Sequence, residues 1–168
     1  MCLKNKLSIL ALFTVIGCGP SVALRAAEPD AKPAASSQQE YEQQVTAALN
    51  YLRTKGQAAD GSFSAQAGPP VTAVVTLGIL KVGRGVDDPL VAKALKYLEG
   101  FVHEDGGIYG PGHHQNYETC VALECFKAAN GDKRYDKLIK NADAYLRSLQ
   151  WDASKGVDAA NVKYGGAG

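Results

Sequence analysis

From about residue 38 onward the apolar positions recur at helical spacing, in two alternating styles. Val45, Ala48, Leu49 and Leu52 fall at i, i+3, i+4 and i+7 and make a single apolar stripe, with Glu42, Gln43, Asn50 and Arg53 on the opposite face. Ser37 followed by Glu40 reads as a capping box, so the pattern predicts a helix over 38–55 that Gly56 stops. The run from Val71 to Val82 differs. It carries no charge before Lys81 and is apolar nearly all round, as a helix buried between neighbours is. Pro69-Pro70 suits its first turn and Gly83 its left-handed cap. A third helix is capped by Asp87 or Asp88, with Pro89 at its first position. Its stripe is Leu90 or Val91, Ala94, Leu95 and Leu98, and its wet face Lys93, Lys96 and Glu99. A fourth over 117–129 again has little polar face and closes at Asn130-Gly131. A fifth starts at Asp132 and buries Leu138, Ala142, Tyr145 and Leu149.

The alternation predicts an all-α fold of about five helices, with 71–82 and 117–129 the most buried and the amphipathic helices forming an outer layer. It is periodic. Tyr51 and Tyr97 lie 46 positions apart, Asp60 and Asp105 45, which is the repeat length of stacked helical hairpins. The glycine-rich loop from Asp105 to Gly112 leads into the fourth helix, and Asp60-Gly61-Ser62-Phe63 leads into the second. A third loop begins at Trp151, and Lys163-Tyr164-Gly165-Gly166 echoes the earlier glycine turns. No inner helix follows it, so residues 40–168 read as about two and a half hairpins, either a truncated fragment or a unit that must pair. Self-association through the uncovered face of the fifth helix is the expected consequence.

Ahead of the repeats the pattern changes twice. Lys4 and Lys6 precede an apolar run from Leu7 to Ile16, too short to span a bilayer, and residues 1–23 read as a secretory signal peptide. Two processing sites remain open. Val15-Ile16-Gly17-Cys18 has the form of a bacterial lipobox, which would make Cys18 a lipidation site and a membrane tether. Ser21-Val22-Ala23 has the small residues that ordinary signal peptidase accepts. Residues 24–39, rich in Ala, Pro, Ser and Gln, read as a flexible linker. The expected location is therefore periplasmic or associated with the cell envelope, with or without a lipid anchor.

Composition narrows the partners. The 168 residues carry 18 basic and 17 acidic side chains, a net charge of +1, with no basic patch for nucleic acid. In the mature part the cysteines are Cys120 and Cys125. Five residues apart on one helix, their Cα atoms stand about 8 Å apart, beyond the reach of a disulfide, and both read as small buried hydrophobes.

Asp60-Gly61-Ser62-Phe63, Asp105-Gly106-Gly107-Ile108-Tyr109 and Leu149-Gln150-Trp151, set on this period, resemble the repeats of the terpenoid cyclase and protein prenyltransferase superfamily, those of squalene cyclases in particular. The resemblance covers about residues 41–168 and implies part of an (α/α) toroid. No catalytic motif of the superfamily transfers. Val86-Asp87-Asp88-Pro89 departs from the aspartate-rich cyclase motif and serves as a helix cap. No Asp-x-Cys zinc pair occurs, and Gly17-Cys18-Gly19-Pro20 departs from the thioester motif.

The candidate binding rim is where inner-helix N-termini meet the glycine loops: His113, His114, Tyr117 and Thr119 on the second hairpin and Thr72 on the first. Thr72 and Thr119, 47 positions apart, should be equivalent. His103, Asp105, Glu118 and Cys120 lie around them, but their spacing fits no metal template, so no metal or cofactor is assigned. The expected ligand is a small molecule or a glycan. Two functions follow: an exported binding or scaffold module, or part of a terpene-cyclase-like or polysaccharide-lyase-like enzyme whose catalytic residues lie elsewhere.

Overall fold

A computed structural model describes residues 35–167. The expected signal peptide, the lipidation candidate Cys18 and most of the linker lie outside them. The described chain is all-α, with five α-helices: α1 (Ala35–Tyr51), α2 (Pro69–Lys81), α3 (Pro89–Glu99), α4 (Gln115–Ala129) and α5 (Asp136–Leu149). Extended pairing among the described residues is limited to two isolated bridges, Val102 with Ile108 and Gln150 with Ala167. No described helix is long and apolar enough to cross a membrane.

α2 and α4 pack most extensively on each other, with α3 on α2 and α5 on α4. Phe126, Leu90, Leu98, Ile108 and Val91 are the largest fully buried apolar side chains. The buried side of α3 is the one its stripe specified, Leu90, Val91, Ala94, Leu95 and Leu98. Asp88 is its cap: the carboxylate accepts the Leu90 N–H at 2.9 Å. On α4 the buried residues include Thr119, Ala122, Leu123, Cys125, Phe126 and Ala129. Phe126 packs at a tilt against Tyr135, ring centroids 4.8 Å apart, and the Tyr135 hydroxyl reaches across to Glu99.

Several boundaries and burials differ from the pattern. α1 starts at Ala35, inside the stretch read as linker, because Ala35 to Glu40 holds no helix breaker; Ser37 therefore sits within the first turn rather than ahead of it. Its far end widens into a π-turn over Leu52–Gly56, where the Gln57 N–H reaches back five residues to Leu52 O. α5 starts at Asp136, because Asp132 is spent on the Arg134 backbone and guanidinium and Lys133 takes a left-handed φ of 66°. α2 is not enclosed all round. Val71 and Val74 are exposed, and an apolar groove of ≈ 190 Å³ runs between α1 and α2, lined by Val45, Leu52, Val75, Val82 and their neighbours. The face of α5 that should lack cover is closed at its centre: Ala142 is fully buried and Tyr145 nearly so, with Leu138 and Leu149 half-buried beside them. Cys125 is buried, which pushes its thiol up to about 12, but Cys120 is exposed, on the outer side of α4.

Candidate functional site

Each Asp-Gly turn is built by the same three devices. The first is an aspartate that closes the turn on itself. Asp60 Oδ1 accepts the Ser62 N–H at 2.9 Å and Asp105 Oδ1 accepts the Gly107 N–H at 2.8 Å. The second is a glycine at positive φ, +95° at Gly61 and +92° at Gly106, lying flat against the next outer helix. A Cβ there would stand 2.3 Å from Lys93 O of α3 and 2.6 Å from Asn141 O of α5. The third is a threonine in the first turns of the inner helix. Thr72 Oγ1 accepts the Phe63 N–H at 3.1 Å, and Thr119 Oγ1 accepts the Ile108 N–H at 3.0 Å.

Thr72 and Thr119 are thus equivalent, as their spacing predicts. Both are fully buried beneath the turns, where their hydroxyls satisfy the loop backbone. His113 and His114 lie exposed at the head of α4, His114 at its N-cap position without a side-chain cap bond. Tyr117 is also exposed, one turn further along. These three are exposed at the start of the inner helix. The threonines lie beneath the turns.

The second turn carries extra chemistry. Glu118 is buried, and its Oε2 accepts the Gly110 N–H at 2.7 Å, holding the loop that leads to His113. The Tyr109 hydroxyl donates to Asp105 Oδ2 at 2.8 Å; that bond, then burial, pushes its pKa up to about 12. His103 lies flat on the Tyr109 ring, centroids 3.9 Å apart, and its Nε2 donates to Tyr109 O at 2.9 Å. Tyr145 adds a tilted ring 5.8 Å from Tyr109. His103, Tyr109 and Gln115 border a cleft of ≈ 360 Å³ together with Gly100, Phe101, Gly110, Pro111 and Gly112.

Glu118 and the His103–Tyr109 stack are the residues that sequence reasoning undervalued. A carboxylate in the first turn of an inner helix, facing a glycine loop, is the signal that was there to read. As acid–base chemistry the arrangement is quiet. Asp60, Asp105, Glu118, Thr72 and Thr119 each accept at least one loop backbone N–H, and no three His, Cys, Asp or Glu side chains among the described residues gather as a metal site. Comparison with protein-family models, with curated proteins and with solved structures gives no match.

Proposed function

We propose that this chain is an exported helical-repeat module of the (α/α) toroid type, related to the squalene cyclase and prenyltransferase repeats, and that it works as a binding or scaffold surface. The observation that carries the reading is the consumption of the polar residues at the Asp-Gly turns. Thr72, Thr119 and Glu118 are already bonded to the backbone they shape, as in a structural repeat. What remains open at the rim is His113, His114 and Tyr117 beside the cleft that Tyr109, His103 and Gln115 line. Aromatic faces with a few amide and imidazole donors suit a sugar ring or a small polar aromatic molecule.

The test is titration with a panel of soluble neutral oligosaccharides, followed by chemical-shift changes of the His113, His114 and Gln115 signals. Saturable shifts that vanish in the His113→Ala/His114→Ala double variant, with helicity intact, support the module. Cleavage of a polysaccharide or cyclisation of a terpenoid substrate would overturn it in favour of the enzyme reading. Binding unchanged in the double variant would move the site off this rim.

A further inference from the structure

Among the described residues the glycine turn occurs three times and is covered by a following outer helix twice. In the first turn Ala58 N donates to Ser62 O and Gly61 N to Ala58 O. The second repeats this with His103 N to Gly107 O and Gly106 N to His103 O, and the third with Trp151 N to Gly166 O and Gly165 N to Trp151 O. Gly165 has φ +80°, beside +95° and +92° at Gly61 and Gly106. The glutamine before the turn matches too. Gln57 Nε2 donates to Gly61 O at 3.1 Å, and Gln150 Nε2 to Gly165 O at 3.2 Å. The bridge between Gln150 and Ala167 is the counterpart of the one between Val102 and Ile108, so Ala167 stands where Ile108 and Phe63 stand.

The covered turns say what belongs against the third. Gly61 touches α3 and Gly106 touches α5, each at a backbone carbonyl. Gln57 has a second donor bond, 2.8 Å to Leu90 O, one helical turn from Lys93 O. At Gly165 a Cβ would meet no described atom within 4 Å, and among the described residues Gln150 Nε2 makes only its Gly165 bond. Phe63 N–H and Ile108 N–H each find a threonine hydroxyl on an inner helix; for Ala167 N–H no such partner stands among the described residues.

We infer that the Gln150–Ala167 turn is a docking site for one further helical hairpin of the α2–α3 kind. Its inner helix brings a threonine or serine hydroxyl to Ala167 N–H. Its outer helix brings two carbonyls one turn apart, one to the Gln150 amide and one flat against Gly165. The occupant is specified by the two internal copies of the same contact. A second copy of this chain does not supply it, since its own α2 and α3 are already seated.

Because Ala167 is in register with Phe63, the test joins a duplicate of residues 64–100 after Ala167. A second version uses a duplicate of residues 109–149, which follow Ile108. In either extended chain the Ala167 amide should exchange at least 100-fold more slowly with solvent than in the parent. Gly165→Val should cancel that protection in the extended chain, while the parent stays folded with only the loss that left-handed backbone strain imposes on a branched residue. The inference is overturned if Ala167 exchanges as fast in the folded extended chains as in the parent, or if Gly165→Val leaves the protection in place. Failure of both extended chains to fold around the added hairpin also counts against it. So does a concentration-dependent dimer of the parent that Gly165→Val dissolves, which would make a second copy the occupant.

Discussion

The first and second Asp-Gly turns solve one problem with different side chains. Both aspartates accept a backbone N–H two residues on and a hydroxyl as well. At Asp60 the hydroxyl is that of Ser62, 2.8 Å away inside the turn; at Asp105 it is the phenol of Tyr109, 2.8 Å away and four residues on. The first turn is thereby self-contained. The second recruits an aromatic ring, which carries the His103 stack and borders the cleft. Glu118 extends the same logic: it holds the Gly110 N–H, whereas the position 47 residues earlier is Val71, exposed and without polar function. The difference teaches where scaffold ends. What the turns share positions helices, and what only the second has shapes the candidate rim.

The largest expected effect tests the shared part. Gly61→Val and Gly106→Val each drive a Cβ into a helix carbonyl and impose a left-handed φ on a branched residue, and should cost about 3–5 kcal/mol in chemical denaturation. Gly165→Val carries the backbone strain alone, about 1–2 kcal/mol. Equal losses at all three would erase the distinction between covered and open turns.

Thr119→Val comes next. It keeps the shape but leaves the buried Ile108 N–H unpaired, at about 1–3 kcal/mol. Thr72→Val should cost less, because the Phe63 N–H it serves is only partly buried. A larger loss at Thr72 would invert the ranking of the two turns. Glu118→Ala strands the Gly110 N–H in the same way, about 1–3 kcal/mol, while Glu118→Gln keeps an acceptor and should recover most of it. If both variants behave alike, Glu118 is not held for its hydrogen bond.

The smallest effects separate the turns by pH. The Ser62 N–H, then its hydroxyl, hold the Asp60 carboxyl below its ordinary 3.8. That contribution is fully present above pH about 3.8 and is lost as pH falls through the depressed value. The Tyr109 phenol has its pKa raised from 10.0 to about 12, so its contribution is present below pH 10 and is lost as pH rises through 12. Acid should therefore loosen the first turn and alkali the second. Tyrosine absorbance should show a late-titrating component that shrinks in Tyr109→Phe; an unchanged titration would sever the Tyr109–Asp105 bond from the account.

Much of this was legible in the residues. The stripe of α3, a cap at Asp87 or Asp88 and the equivalence of Thr72 and Thr119 follow from spacing alone, because local periodicity and capping chemistry decide them. The burial of α2 did not. Its apolar composition says what the helix tolerates, while Val71 and Val74 are exposed because no neighbour among the described residues reaches that side. Cys120 went the same way: five residues from Cys125, it points away from the core that Cys125 enters. Nor does sequence show that a threonine at a helix start faces down into a turn rather than out to a ligand. The Phe63 and Ile108 amides settle that.

The most direct measurement is amide hydrogen exchange at Phe63, Ile108 and Ala167, the same position in three copies of one turn. The threonine clamps predict Ile108 slowest, Phe63 intermediate and Ala167 fastest, the two clamped amides slower than Ala167 by at least a hundredfold. Exchange of Ile108 and Phe63 as fast as Ala167 would contradict the claim that Thr119 and Thr72 lock the glycine turns to the inner helices.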